Sequence, residues 1–311
     1  MKVLFVSSGN SSYGIVSFIK RQGESIKNEG VNLDFYTIKG KGIKGYLKNI
    51  SPLAKHIKRN NFDIVHAHYG MIGLVCALTF CRKPIVLSVM GDDAYGSFNV
   101  KGKRIFSSYF EMILTQFALL FTKAIIVKSN NILKVIPYKK KTKVIPNGVD
   151  FKLFTPNSNI INSKNKILYL ANPKNPRKNF KLVKEAVNLL TKRKVHLFNP
   201  YPINPDDFPK HLNESSLFIL TSYNEGSPNV IKEAMACNIP IVSTNVGDVE
   251  KVIKNTKGCY LTSFDPKDVA DKIEKALNFN KRTTGRKDIS HLELSVVAKQ
   301  IITIYNNILK K

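Results

Sequence analysis

Short unbroken apolar runs, each followed by a stretch whose apolar residues recur every three to four positions, fill the first half of the chain. Residues 3–6 form a continuous apolar run that stops at Ser7-Ser8-Gly9. A strand with one wet face would alternate, so this run predicts a strand buried on both faces. Further strands are predicted at 32–38, 63–66, 84–89, 124–127 and 143–145, with helical patterns at 14–28, 48–59, 71–80 and 106–121. Strand, helix and strand repeated in this way build a parallel sheet covered by helices on both faces.

The pattern breaks at Pro146-Asn147-Gly148-Val149-Asp150, and the polar stretch 155–165 reads as a linker. Alternation then restarts, with strands predicted at 166–171, 195–198, 217–221, 241–243 and 259–261 and helices at 180–190, 229–236 and 268–277. An amphipathic helix over 292–309 closes the chain. The expected fold class is therefore α/β, two Rossmann-like doubly wound domains facing a cleft. The domains are 1–155 and 160–290, and 291–311 is expected to cross back onto the first. In such sheets ligands bind outside the carboxyl ends of the strands.

An apolar fraction of 43% and an aromatic fraction of 10% over 311 residues suit two globular cores. No apolar run reaches eighteen residues, and the first is too short for a signal-peptide core, so a cytoplasmic protein is expected. Cys76, Cys81, Cys237 and Cys259 lack metal-site spacing and read as buried thiols. The net charge of +27 is carried mostly by lysine along both halves. Without a zinc-finger, RNP or basic-helix signature it does not point to nucleic acid. An anionic membrane surface remains a candidate partner, which places the protein peripherally on the inner face of the cell membrane. The 100–128 segment carries many apolar residues among Lys101, Lys103, Arg104, Lys123 and Lys128. It reads either as a bilayer-facing stretch or as a helix packed on the sheet.

The strongest chemical signal lies at 220–236. A buried strand ends near Thr221, a polar loop carries Glu225, and a helix begins near Pro228. Proline suits a first helical position because its missing N–H would be unpaired there. The amides and dipole of that helix start, around Ser227, Pro228 and Asn229, form an anion site. Glu225 on the loop and Glu233 inside the helix then flank a bound phosphate.

Glu225 and Glu233, within EGSPNVIKEAMACNIPIVST, resemble the E-x7-E donor signature of the retaining glycosyltransferase family four. The segments KVIPNGVD at 143–150 and DIVHAH at 63–68 resemble that family too, in order along nearly the whole chain. The resemblance implies the two-domain GT-B architecture and transfer of a sugar from a nucleotide-diphosphate sugar to an acceptor hydroxyl. It further implies retention of configuration, no metal ion or other cofactor, and a glycan or lipid-linked acceptor of surface polysaccharide or glycolipid synthesis. Glu225 would orient the sugar and Glu233 the ribose.

A basic loop, Pro173-Lys174-Asn175-Pro176-Arg177-Lys178, follows the first strand of the second half, where cations can face a diphosphate. Lys178 matches the family's lysine, but Asn172 stands where an arginine is usual, so either Arg177 compensates or diphosphate binding is weaker. Gly14, in the loop after the first strand, matches a glycine that approaches the donor phosphate. Met90 stands where the family often has a histidine. Either that sugar contact is lost or His66 or His68 covers it, and His68 is otherwise a core histidine bonded to backbone. Asp92 is assigned to the acceptor side. A nucleotide-sugar epimerase of the same architecture and a basic polyanion-binding module are the rival classes.

Overall fold

The computed structural model describes residues 1–11, 14–97, 99, 104–160 and 163–310. Ser12 and Tyr13 of the first loop, Lys101 and Lys103 of the basic segment, and Ile161 and Asn162 of the polar stretch lie outside the described residues. The chain divides into two compact units. Unit 1 is built from Met1–Ser97, Arg104–Gly148 and Leu294–Lys311, and unit 2 on Val149–Glu293.

Unit 1 holds β1 (Lys2–Ser8), β2 (Asn32–Ile38), β3 (Ile64–His68), β4 (Ile85–Val89), β5 (Ala124–Val127) and β6 (Thr142–Val144). Their order is β2-β1-β3-β4-β5-β6, and every neighbouring pair is parallel. The unbroken apolar runs have a direct cause. Leu4, Val6, Val65, Ala67 and Leu87 pack into a core on one face, which the Gly70–Leu78 helix also joins. Val3, Phe5, Ile64, Val86 and Ile126 pack on the other with the Ser17–Asn28 and Leu294–Leu309 helices. Burying each large apolar side chain contributes roughly 1.5–3 kcal/mol, and here alternate residues on both faces do so.

The closing helix Leu294–Leu309 belongs to unit 1. It buries Val297, Ala298, Ile301 and Tyr305, one stripe at helical spacing. The Tyr305 hydroxyl lies 2.5 Å from His66 Nδ1.

Unit 2 holds β7 (Lys166–Leu168), β8 (His196–Phe198), β9 (Leu217–Leu220), β10 (Ile241–Thr244) and β11 (Cys259–Thr262), ordered β11-β10-β9-β7-β8 and again parallel. Its boundary falls at Val149, ahead of the sequence expectation, because Val149 and Phe154 sit in its core. Arg286 donates to the carbonyls of Phe151 and Phe154. The polar stretch expected as a linker is a loop tied to this unit. The Asn157 amide donates to Asn213 Oδ1, Asn213 Nδ2 to the Thr155 carbonyl, and the Ser163 amide to the Glu214 carbonyl. Composition alone cannot separate a polar linker from a polar loop stitched down by asparagine.

Of the four free cysteines, Cys76 and Cys237 are buried, whereas Cys81 and Cys259 are only half-buried. One packing contact makes a sharp prediction. A Cβ on Gly70 would meet Thr115 Cβ at 2.7 Å and Thr115 Oγ1 closer still. Gly70→Ala is therefore expected to force the Phe106–Leu120 helix outward and cost about 1–3 kcal/mol, read as a lower urea midpoint. An unchanged midpoint would mean that this helix is not held against Gly70.

Candidate functional site

Both sheets share one topology. Strand order reverses between the first and third strands of each unit, at β1/β3 and at β7/β9, and such switch points open a crevice outside the carboxyl ends. In unit 2 the loops flanking that crevice carry Lys178 after β7 and Glu225 after β9.

The β7 loop is rigidly built. The Asn172 side-chain oxygen accepts from the Lys174 amide, and that of Asn175 from the Arg177 amide, closing two side-chain turns. A short 3-10 helix, Pro176–Lys178, ends at Asn179 in the left-handed region (φ 51°). Two groups anchor the Lys178 carbonyl, the Tyr169 hydroxyl at 2.9 Å and Thr221 Oγ1 at 3.2 Å. The Tyr223 amide donates to the Arg177 carbonyl at 2.9 Å, so the two loops are sewn together. Burial, with the charge of Glu225 beside it, pushes the Tyr169 pKa far up, which keeps its phenol a donor.

This backbone delivers Lys178 Nζ to 2.5 Å from Glu225 Oε1, with side-chain exposures of 22% and 12%. Arg177, half-buried, lies alongside in sequence. Asn172 spends its oxygen inside its own loop. Past Glu225, the helix runs Asn229–Ala236 as the sequence predicts, with Pro228 as its N-cap rather than its first helical residue. Proline offers no side-chain oxygen to the first turn, so the helix start is not capped by its own N-cap residue. Glu233, the fifth residue of the helix, is buried with 7% exposure. Neither glutamate faces outward.

A buried network, not singled out from the sequence, holds this loop. Lys232 Nζ lies 3.4 Å from Asp248 Oδ2 and donates to Ser227 Oγ, whose own proton goes to Asp248 Oδ2 at 2.7 Å. Side-chain exposures of Lys232 and Asp248 are 1% and 8%, so this is an ion pair in a low-dielectric interior. Ser227, expected at the anion site, thus spends its hydroxyl on bracing the loop. Gly247, at φ +61°, admits the close approach: a Cβ there would lie 2.8 Å from the Gly226 carbonyl oxygen. Asp248 Oδ1, Ser222 Oγ and Asn224 Nδ2 are buried in this unit without a hydrogen-bond partner among the described residues. A signal for Asp248 was present in the sequence. It follows a buried strand, as Lys178 and Glu225 do.

In unit 1, Gly14 has φ +72° and open space where a side chain would begin. His68 ends β3 at the β1/β3 switch point, fully buried, stacked on His66 at 4.4 Å and tilted against Phe5 at 4.4 Å. Neither of its ring nitrogens has a hydrogen-bond partner among the described residues, so it is not a core histidine satisfied by backbone. Burial, reinforced by His66 and Lys128, drives its pKa well below the imidazole range and keeps the ring neutral. Asp92 opens a single helical turn, Asp92–Tyr95. Its neighbour Asp93 is the buried one, accepting from the amides of Met90, Gly91 and Gly70 at 2.8–2.9 Å. Burial pushes Asp93 up to about 6 against the pull of those amides. Asp93 therefore shapes the turn beside Met90. Among the described residues no group of three or more His, Cys, Asp or Glu could hold a metal ion.

Two family models match the chain in order. The Glycosyltransferase Family 4 model covers residues 20–153, and the Glycosyl transferases group 1 model covers 178–287, the stretch that holds Lys178, Glu225 and Glu233. Among curated proteins, the UDP-Gal:alpha-D-GlcNAc-diphosphoundecaprenol alpha-1,3-galactosyltransferase of Escherichia coli is 25% identical over 263 residues, 70% of this chain and 67% of that protein. Among solved structures, a sucrose-phosphate synthase from Thermosynechococcus elongatus superposes with a TM-score of 0.80 at 15% identity, covering 100% of this chain and 99% of that one. Anabaena HepE in complex with UDP gives 0.75 at 15% identity, covering 99% and 100%.

Proposed function

Starting from the membership of this chain in the family-four glycosyltransferases, whose two domain models it carries in order, we propose that unit 2 holds a nucleoside-diphosphate hexose and transfers the hexose with retention. The observation that carries this reading is the convergence of Lys178 Nζ and the Glu225 carboxylate at the β7/β9 switch point, ahead of a helix whose N-cap is a proline.

In this reading the diphosphate lies between Lys178 and the Asn229 helix start, where a cation and backbone amides meet the charge that grows as the bond to the anomeric carbon breaks. Arg177 supplies the second positive charge that Asn172 lacks. Glu225 grips sugar hydroxyls and Glu233 the ribose. The buried Lys232–Asp248–Ser227 network keeps the intervening loop from yielding. A nucleoside diphosphate is a good leaving group, so the protein supplies charge and position more than acid or base. Unit 1, with Asp92 and the neutral His68 at its own strand ends, takes the acceptor. The acceptor hydroxyl attacks from the face the diphosphate leaves.

The E. coli relative's name couples a UDP-sugar donor with a diphosphoundecaprenol-linked acceptor. By that likeness we assign this chain a lipid-diphosphate-linked glycan acceptor in surface polysaccharide or glycolipid synthesis. Two results are expected. Calorimetry with UDP, GDP and ADP gives one site that prefers one base and persists at moderate salt; salt-steep binding of every polyanion alike would instead indicate a polyanion-binding module. With the preferred nucleotide sugar and a lipid-diphosphate acceptor, mass spectrometry detects an acceptor heavier by one hexose, at a rate that a chelator leaves unchanged. Free sugar released without any acceptor would turn the assignment to an epimerase.

A further inference from the structure

The Phe106–Leu120 helix of unit 1 is built inside out. Its buried residues are Ser108, Thr115, Ala118 and Leu119. Phe106, Tyr109, Phe110, Ile113, Phe117 and Leu120 are exposed, Phe106 by 89% and Ile113 by 63%. Their spacing of three, four, seven, eleven and fourteen from Phe106 puts all six within about 100° of arc on one face. A helix packed on the sheet by its apolar stripe, one of the two sequence readings, would have turned this face inward. The helix instead rests its small-residue side on the Gly70–Leu78 helix, where Thr115 fills the space above Gly70. Its carboxylate, Glu111, sits off the apolar face and accepts from the Tyr69 hydroxyl at 3.2 Å.

Cations frame this face. Arg104 stacks over Tyr109 at 5.2 Å where the helix begins. Where it ends, Phe121 lines a pocket of about 810 Å³ together with Arg82, Lys83, Lys123, Lys140, Lys141 and Lys143, and among the described residues no carboxylate lines it. Lys141 ties the two features together, donating to the carbonyls of Leu119 and Thr122 at 2.7 and 2.8 Å. The pocket includes Ile85 and Ala124, the first residues of β4 and β5, and so lies at the amino ends of the strands, away from the switch point.

We propose that this face is a docking surface for an anionic phospholipid bilayer, with the six apolar side chains seated among the acyl chains and the six-cation pocket taking the phosphate headgroups. Large apolar side chains rimmed by lysine and arginine match the interfacial boundary of such a bilayer. A second copy fits less well, because an isologous contact would set these cations against themselves. Nucleic acid would answer the charge and leave the apolar face unanswered. The surface lies wholly in unit 1 and does not depend on the donor site, so either assignment can fail alone.

The chain contains no tryptophan, which gives a clean probe. Ile113→Trp at this exposed position is expected to show blue-shifted emission with vesicles of phosphatidylcholine and phosphatidylglycerol, and none with phosphatidylcholine alone. In co-sedimentation with the same vesicles, Phe110→Ser/Ile113→Ser and Lys140→Glu/Lys143→Glu are each expected to bind at least about tenfold more weakly than the unaltered protein. Nucleoside-diphosphate binding, measured on the same preparations, should be unchanged and so report that they are folded. Equal binding to neutral vesicles, or full binding by either double variant, would overturn the proposal. So would a face variant that turns a dimer into a monomer while still binding vesicles.

Discussion

Glu225→Ala is expected to lower turnover at least ~100-fold while leaving nucleoside-diphosphate affinity intact, and Lys178→Ala to lower both. The asymmetry comes from the pair itself. Lys178 is neutralised in part by Glu225 at 2.5 Å. Removing the carboxylate frees the cation for phosphate but takes away the group proposed to orient the sugar. Removing the cation deletes the charge that offsets the departing diphosphate, where one preorganised contact is worth about 2.7–4 kcal/mol in the transition state. Steady-state rates and calorimetry on the two variants measure this directly. Full turnover in Glu225→Ala would end its assignment, and equal nucleotide affinity in Lys178→Ala would show that the phosphate lies elsewhere.

The second large effect is on stability. Asp248→Ala strips the partner from a lysine that is 1% exposed, and is expected to cost about 3–5 kcal/mol in chemical unfolding. Breaking such a pair is far worse than replacing it, because the cost arises from a charge left buried and alone. Lys232→Met combined with Asp248→Leu is therefore expected to recover most of the lost stability. Turnover should not recover with it, since Ser227 loses both partners and the Glu225 loop its brace. A double variant with normal activity would show that the network serves folding only. A single Asp248→Ala variant as stable as the parent would show that water reaches Lys232.

The family-four assignment makes one more feature intelligible. The same strand order, with the same reversal point, occurs in both units, yet the chemistry is unequal. Unit 2 puts a cation and a carboxylate at its switch point. Unit 1 puts the buried neutral His68 and the open Gly14 there. On the proposed assignment, the donor's diphosphate meets the charged pair of unit 2, and the uncharged His68 of unit 1 is left to the acceptor hydroxyl.

Strand positions were legible from the sequence, because a strand buried on both faces is mostly apolar, with His66, His68 and Ser88 among the exceptions, and few other elements write that pattern in four to seven positions. The pairing of Lys178 with Glu225 was legible only as two candidates. Their separation of 47 residues is bridged by Tyr169, Thr221 and the Tyr223 amide, whose bonds to the Lys178 loop depend on how β7 and β9 lie side by side. The 155–165 stretch was misread for a related reason. Its backbone groups at Thr155, Asn157 and Ser163 act through Asn213 and Glu214, more than fifty residues on.

By itself, then, the chain's order of apolar and polar residues determined two parallel α/β units, the family signature in 225–233 and an excess of positive charge. Which lysine meets which carboxylate, which loop is stitched down, and which face of the 106–120 helix looks outward were decided only in three dimensions. Periodicity is a property of neighbouring residues and survives in a one-dimensional reading. Ion pairs, close glycine contacts and exposed faces are properties of residues far apart in the chain, and their energies exist only after the sheets have brought them together.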